Sequence, residues 1–210
     1  MESHSFPTLL FSFLLIFFIS IPNVIHATSA TSSSSSTKAN KLYVRQSCNS
    51  TLYPKDCYKF LSSYSSKIKS NPYKLCEFSI YVAYVNAKAA SSTATRLAKT
   101  KGLTAPEKGA ITDCVENFKD SVDELKQSWD DMDKIINGAA NGTMSDDEKN
   151  LMVENVKTWA SAALTDDDTC KDEIDEVKAN PTMKSKLSKA ILKVAKSTSI
   201  CLAFVNSYYS

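Results

Sequence analysis

Four helix-start signals divide residues 71–208 into four long segments, and this pattern restricts the fold more than any other feature of the chain. The signals are Asn71-Pro72, the capping boxes Thr104…Glu107 and Ser145…Glu148, and Asn180-Pro181. Within each segment apolar residues recur at spacings of three and four, as Ile111, Val115, Phe118, Val122 and Leu125 do in the second. Such a stripe is typical of a helix that packs on one side. The pattern therefore predicts four long helices.

Short connections separate these segments, so consecutive helices are expected to run antiparallel. We expect helix ends at the four glycines, Gly102, Gly109, Gly138 and Gly142. Upstream, residues 41–70 contain a Tyr53-Pro54 turn between two short helical stretches. The sequence therefore predicts an all-α fold: an up-down-up-down four-helix bundle over 71–208, preceded by a disulfide-stapled N-terminal α-hairpin over 41–70.

The N-terminus reads as a targeting segment. Residues 9–21 are almost wholly apolar, which is too short for a membrane span of about 20 residues and suits a secretory signal peptide. We predict a signal peptide over 1–27, with cleavage after Ala27 or, alternatively, after Ala30. A signal anchor is the competing interpretation. Residues 28–40 contain a serine run and are predicted to form a flexible tail. The mature protein is then expected to be secreted, with no membrane partner.

Cleavage would leave a chain without histidine, since His4 and His26 both precede Ala27. That excludes Ser-His-Asp and Cys-His catalysis and any imidazole-ligated metal. No glycine-rich phosphate loop is present either. We therefore predict no catalytic residue, no metal site and no cofactor. The mature chain would have 25 basic and 22 acidic residues, a balance that favours no nucleic-acid partner and only a weak contact with acidic cell-wall polysaccharide.

All six cysteines lie in the mature chain, and secretion favours disulfides over reactive thiols. Cys48 and Cys57 flank the hairpin turn. In an antiparallel bundle, Cys114 and Cys170 lie at one end at nearly the same height, and Cys76 and Cys201 lie together at the other end. The geometry predicts the bridges Cys48–Cys57, Cys114–Cys170 and Cys76–Cys201. For the last pair, two buried free thiols are the alternative.

Two sequons occur, at Asn49-Ser50-Thr51 and Asn141-Gly142-Thr143. In a secreted protein, both Asn49 and Asn141 are candidate glycosylation sites.

Three stretches are specific enough to suggest a family. Residues 158–170 read TWASAALTDDDTC, residues 113–125 read DCVENFKDSVDEL, and residues 48–57 read CNSTLYPKDC. With them, residues 41–208 resemble the plant invertase/pectin methylesterase inhibitor family. The resemblance implies the same two bridges, Cys48–Cys57 and Cys114–Cys170, whereas Cys76 and Cys201 lie outside the shared pattern.

The resemblance also implies a function. The inhibitors of this family dock across the target's substrate cleft in a one-to-one complex and perform no chemistry, so the resemblance implies an inhibitor and not an enzyme. The motif over 158–170 favours pectin methylesterase in the apoplast and cell wall as the partner. Acid invertase is the alternative, although residues 144–150 lack the Pro-Lys-Phe stretch of invertase-directed members. Two further alternatives are a glycosidase with paired carboxylates and a cell-wall adhesion module.

We expect partner contacts from polar residues on the first three bundle helices. One set is acidic and lies in the two helix motifs, together with two threonines: Asp113, Glu116, Asp120, Thr165, Asp166, Asp167, Asp168 and Thr169. At least one of the three consecutive aspartates is expected to point inward or towards a partner; a solvated face and ordinary surface charge are the alternatives. On the first bundle helix the candidates are Asn86, Lys88 and Thr93. Trp129 and Trp159 are expected in the core.

Overall fold

The computed structural model describes residues 29–209, with side chains from residue 35 onward, so the predicted signal peptide lies outside the described residues. All regular structure in this part of the chain is helical. The elements are α1 (Ser29–Cys48), α2 (Pro54–Leu61), a single 3-10 turn (Ser62–Tyr64), α3 (Ser65–Ile68), α4 (Pro72–Ala98), α5 (Ala105–Asn141), α6 (Asp146–Glu176) and α7 (Pro181–Tyr208). The predicted all-α class is confirmed.

The four long helices form the predicted bundle. Helix α4 packs on α5 and α7, and α6 packs on the same two neighbours, so the helices follow one another around a ring. Each of the three connections is short, which makes successive helices antiparallel. In this ring the seam between α4 and α7 lies on the opposite side from the seam between α5 and α6.

The predicted start signals act as N-caps. The side chain of Asn71 accepts hydrogen bonds from the amides of Tyr73 and Lys74, and that of Asn180 does the same for Thr182 and Met183. Ser145 accepts one from the Glu148 amide. These bonds satisfy amides that have no partner within their own helix. Helices α4, α6 and α7 therefore begin directly after the capping residues that the sequence predicts.

The glycines correct the prediction in part. Gly102 and Gly142 lie past helix ends with φ values of 80° and 64°, a conformation that favours glycine. Gly109 and Gly138, however, lie inside α5, which continues to Asn141. At Gly138 a Cβ would lie 2.9 Å from Cε of Met144, so the missing side chain leaves room for Met144. A helix supported by neighbours along its length tolerates the roughly 1 kcal/mol that an interior glycine costs.

The core consists of two clusters, one at each end of the bundle. The first joins the hairpin to the bundle and includes Leu61, Ile68 and Phe204. The second fills the end far from the hairpin and includes Ile111, Phe118 and Leu187. Burying each such side chain stabilises the fold by about 1.5–3 kcal/mol.

The N-terminal hairpin is stapled as predicted, because Cys48 and Cys57 are disulfide-bonded with a Cα–Cα distance of 5.6 Å. Helix α1 nevertheless corrects the predicted flexible tail over 28–40, since the helix begins at Ser29. Its last turns are anchored by the buried Val44 and Cys48, while residues 35–39 are exposed. Once a helix is anchored, each added residue gains a hydrogen bond without a new nucleation cost, which extends α1 into the serine run.

The second bridge is also present: Cys114 and Cys170 are bonded across α5 and α6, with a Cα–Cα distance of 4.6 Å. The third predicted bridge is wrong, because Cys76 and Cys201 are free thiols, both buried. They pack in the core cluster beside the hairpin, where free cysteine acts as a small apolar side chain. Burial raises the pKa of Cys201 to about 12 and also raises that of Cys76, so the thiolate that forms disulfides is scarce.

Candidate functional site

A row of carboxyl groups lines the junction of α5 and α6 in the far half of the bundle. We call this row the acidic seam; it consists of Asp113, Asp120, Glu124, Asp166, Asp167 and Glu173. On α5 the acidic residues and Asn117 between them recur at spacings of four and three, which places them on one face. The Cys114–Cys170 bridge ties the two helices together within the seam. The backbone that carries these carboxyl groups is therefore fixed by a covalent bond.

Asp167 occupies a core position of α6. The buried residues of this helix are Val153, Val156, Ala160, Ala163, Asp167, Cys170 and Ile174, a regular stripe in which Asp167 is the one residue with a carboxyl group. Its side chain is fully buried. Oδ1 accepts a hydrogen bond from Oγ of Ser121 on α5 at 3.3 Å, and Oδ2 has no partner among the described residues. The expectation that one of the three aspartates points inward is confirmed for Asp167.

Burial holds Asp167 in its neutral form. Removal from water is the main reason that the pKa of this carboxyl rises to about 8; the Ser121 hydrogen bond opposes the rise, and the charges of Asp166, Asp168 and Glu124 add to it. Asp167 is consequently protonated across the mildly acidic range.

Glu124 and Asp166 form the centre of the seam. Burial is the main reason that the pKa of Glu124 rises to about 8; the charge of Asp166, a hydrogen bond with Asp166 and the charge of Asp120 add to the rise. Burial also raises the pKa of Asp166, where the hydrogen bond with Glu124 opposes the rise and the charge of Asp120 adds to it. Like charges this close do not ionise independently, so the pair retains a proton above the usual range of carboxylic acids.

Glu173 belongs to the other end of the seam, beyond the disulfide. Its pKa is raised by burial and then by the charges of Asp113 on α5 and Glu176. Neither Glu124 nor Glu173 was singled out from the sequence. Helical spacing could have found them, because Glu124 follows Asp120 by four residues and Glu173 follows Asp166 by seven.

Unsatisfied polar atoms concentrate at the seam. In the described part of the chain, six buried side-chain N or O atoms lack a hydrogen-bond partner, and five of them lie here: Asn117 Nδ2, Glu124 Oε2, Asp166 Oδ2, Asp167 Oδ2 and Glu173 Oε2. A buried carboxyl oxygen without a partner is costly when the group is charged and less so when it is protonated. The seam therefore favours the protonated form of its buried carboxyl groups.

The other residues that the sequence predicted as partner contacts on α5 and α6 lie at the edge of the seam. Glu116 and Asp168 are exposed. Thr165 and Thr169 are also exposed, and their hydroxyls donate to the backbone carbonyls of Ser161 and Thr165, one turn earlier. The structure thus brings Asp120, Asp166 and Asp167 close to Glu124, and Asp113 close to Glu173 at the other end of the seam.

The three candidates on α4 lie away from the acidic seam, and the predicted partner contact is wrong for Asn86. Asn86 is buried, and its Nδ2 donates to Oγ of Ser197 at 3.1 Å, so it joins α4 to α7 inside the bundle. Lys88 is exposed, with Nζ 3.4 Å from the Tyr84 hydroxyl. Thr93 donates to the carbonyl of Ala89. Lys88 and Thr93 line two other grooves, one on each side of α4.

Both tryptophans are half-buried, so neither occupies the core position expected of it. Trp129 packs against the core cluster from outside and lies 5.0 Å, centroid to centroid, from Tyr81. Both sequon asparagines, Asn49 and Asn141, are exposed, so their glycosylation stays a prediction.

Among the described residues no group of three or more His, Cys, Asp or Glu side chains could hold a metal ion. No described helix is long and apolar enough to cross a membrane.

Known proteins resemble this chain in sequence and in fold. It is 39% identical over 180 residues to pectinesterase inhibitor 10 of Arabidopsis thaliana, covering 85% of this chain and 55% of that protein. It is also 39% identical over 169 residues to pectinesterase inhibitor 4 of the same plant, covering 80% and 81%. The chain thus spans about half the length of the first relative and most of the second.

A crystal structure of a mutant form of a pectin methylesterase inhibitor from Arabidopsis has the same fold. The TM-score is 0.58 at 19% identity, over 76% of this chain and 92% of that one. Residues 42–204 match the profile of the family described as plant invertase/pectin methylesterase inhibitor. Because that match covers most of the chain and includes the hairpin, both disulfides and the acidic seam, the chain belongs to the plant invertase/pectin methylesterase inhibitor family.

Proposed function

We propose that this protein is a secreted inhibitor of pectin methylesterase that covers the enzyme's pectin-binding cleft in a one-to-one complex. Family membership makes it an inhibitor and not an enzyme. The relatives named above are pectinesterase inhibitors, which supports this target over acid invertase. The predicted signal peptide and the two disulfides support secretion to the apoplast and cell wall.

The acidic seam is the observation on which the proposed mechanism rests. A docked enzyme would contact the exposed carboxyl groups of Asp113 and Asp120 and the accessible side of the half-buried Glu124, Asp166 and Glu173. Docking also removes the seam from water, which costs more for charged carboxyls than for protonated ones. Inhibition should therefore be strongest in mildly acidic solution, where the seam holds protons. The inhibitor acts by covering the cleft, and no bond is made or broken.

The test is the pH dependence of inhibition of a purified pectin methylesterase by the intact protein. For wild type we expect inhibition to weaken by about tenfold between pH 5 and pH 8, the effect of a one-unit pKa change. Glu124→Gln/Asp166→Asn keeps the centre of the seam neutral at every pH. This variant should lose most of the pH dependence and inhibit the pectin methylesterase about equally well at pH 5 and pH 8.

Asp146→Asn/Asp147→Asn is the matched control, because it removes the same charge from exposed positions at the start of α6. Its pH profile should follow wild type. Identical profiles for all three proteins would contradict the role of the seam. Sucrose hydrolysis by an acid invertase, assayed in parallel, checks the target: inhibition of invertase without inhibition of the esterase would overturn the proposed function.

A further inference from the structure

A second charged surface lies on the opposite side of the far half of the bundle. A groove of about 570 Å³ runs between α4 and α7 and is lined by Thr93, Arg96, Leu97, Thr100, Lys186 and Lys189. We call it the basic groove. Because the α4–α7 seam is opposite the α5–α6 seam in the ring of helices, a partner docked on the acidic seam leaves this groove uncovered.

The cations of the basic groove have no acidic partners. Lys186 and Lys189 are exposed, and Lys193 continues the row at the spacing of one helical face. In the described part of the chain, none of these three lysines forms a salt bridge; Lys196, one turn further on, pairs with Asp56. Arg96 contacts only a hydroxyl within the groove, with Nη2 3.3 Å from Oγ1 of Thr93. The free lysine row extends over about 10 Å of helix.

Arg96 also borders a second groove, between α4 and α5. This groove of about 450 Å³ is lined by Lys88, Ser91, Ser92, Thr95, Arg96, Lys119, Val122 and Asp123. Lys88 and Arg96 are eight residues apart, or about 12 Å along α4. Small hydroxyl side chains form the surface between the cations. The lysines and arginine thus extend across three helices, with Asp123 the one acidic residue among those that line the two grooves, and the surface is rich in hydroxyls.

We propose that the basic groove binds a linear polyuronate, a polysaccharide with a carboxylate on its sugar units. Repeated carboxylates complement a row of unpaired cations, and serine and threonine hydroxyls can exchange hydrogen bonds with sugar hydroxyls. No aromatic ring lines either groove, so stacking of a neutral sugar does not contribute. The binding is therefore electrostatic and salt-dependent. It would hold the protein on an acidic matrix independently of any enzyme target.

The test is equilibrium binding of the intact protein to polygalacturonate, with highly methyl-esterified pectin, dextran and poly-glutamate as comparison polymers. We expect binding to polygalacturonate that weakens as salt is raised, with at least tenfold weaker binding to the esterified and neutral polymers. Lys186→Glu/Lys189→Glu should weaken polygalacturonate binding by at least tenfold. Lys186→Gln/Lys189→Gln should weaken it less, in proportion to the smaller charge change.

Lys55→Glu/Lys59→Glu is the matched control, because it makes the same charge change at exposed positions on α2. It should change the affinity by less than threefold. Equal losses in both charge-reversal variants would show a net-charge effect and overturn the site, as would equal affinity for poly-glutamate or no binding by wild type. Esterase inhibition by Lys186→Glu/Lys189→Glu should equal that of wild type, so failure of this site is distinguishable from failure of the proposed function.

Discussion

Asp167 is a carboxyl group at a position where the packing of α6 calls for an apolar side chain. Three consecutive aspartates indicate a break in the apolar stripe, and that break is visible in the sequence. Which aspartate points inward depends on the rotation of α6: Asp167 continues the buried stripe of that helix, and the Ser121 hydroxyl of α5 lies 3.3 Å from its Oδ1. Glu124 and Glu173 look like ordinary surface charges in the sequence. Their raised pKa values come mainly from burial; like charge from the opposing helix (Asp166, Asp113) and from their own helix (Asp120, Glu176) adds to it.

We expect Asp167→Asn to stabilise the protein at pH 8 and to have little effect at pH 4.5. The folded-state pKa of about 8 lies above the unfolded value, so the folded state binds the extra proton between these two values. Wild-type stability contributed by this group is therefore complete below the unfolded pKa and is lost as the pH rises towards 8. Asparagine stays neutral and avoids that loss, for a gain of several kcal/mol at pH 8, at about 1.36 kcal/mol per unit of pKa change.

Urea denaturation of both proteins at the two pH values measures this difference. Ser121→Ala provides a comparison, since it removes the hydrogen bond to Asp167 without removing the carboxyl group. The interpretation is wrong if the difference in free energy of unfolding between wild type and Asp167→Asn is the same at pH 4.5 and pH 8.

At the scale of the helices, local signals predict starts better than ends. An N-cap needs only a side chain within three residues, so Asn71, Ser145 and Asn180 are readable from the sequence. A glycine can end a helix or be tolerated within one, and tertiary support decides between the two. Neighbouring helices support α5 through Gly109 and Gly138, and the hairpin anchors α1, which begins twelve residues before the predicted domain at residue 41.

The same limit explains the third cysteine pair. Antiparallel helices bring Cys76 of α4 and Cys201 of α7 to the same end of the bundle, and that part follows from helix lengths alone. Whether the sulfurs bond depends on side-chain packing and on the pKa of each thiol, which burial raises. Helix geometry can therefore predict proximity but not oxidation.

We expect the native protein to expose no reactive thiol, and the unfolded protein to expose two. Both free cysteines are buried, and the other four are in disulfides. A thiol reagent at pH 8, without reductant, should label no cysteine in buffer and two in denaturant, as counted by mass. Cys76→Ser and Cys201→Ser should each reduce the count in denaturant to one. Zero labels on the unfolded wild-type protein would instead reveal the Cys76–Cys201 bridge.

For the whole molecule, charge is separated between two faces of the same half of the bundle. The near balance of 25 basic and 23 acidic residues hides this arrangement, because composition does not report which side of a helix a residue occupies. The order of helices around the ring is predictable from short connections. The faces that α4 and α7 turn outward follow from the packing of the second core cluster, which the sequence does not specify to the accuracy of one residue.

Separation of the two surfaces predicts that their functions are independent. A double-mutant cycle between the two surfaces tests this. It compares four proteins: wild type, Glu124→Gln/Asp166→Asn in the seam, Lys186→Glu/Lys189→Glu in the groove, and a protein with all four changes. Residues without shared contacts usually have additive effects. Each pair should therefore shift its own property by the same factor in either background: the seam pair the pH dependence of esterase inhibition, and the groove pair the affinity for polygalacturonate.

Thermal unfolding of all four proteins provides the control for folding, and affinity should be measured at one ionic strength because long-range electrostatics depend on salt. Coupling is the informative failure. The two surfaces are coupled if the groove pair alters inhibition by more than about threefold, or if the seam pair alters polygalacturonate affinity by as much. A threefold change corresponds to a coupling free energy of about 0.6 kcal/mol, since a factor of ten is about 1.4 kcal/mol. If the two surfaces are independent, each pair of substitutions should change the property of the other surface by less than threefold.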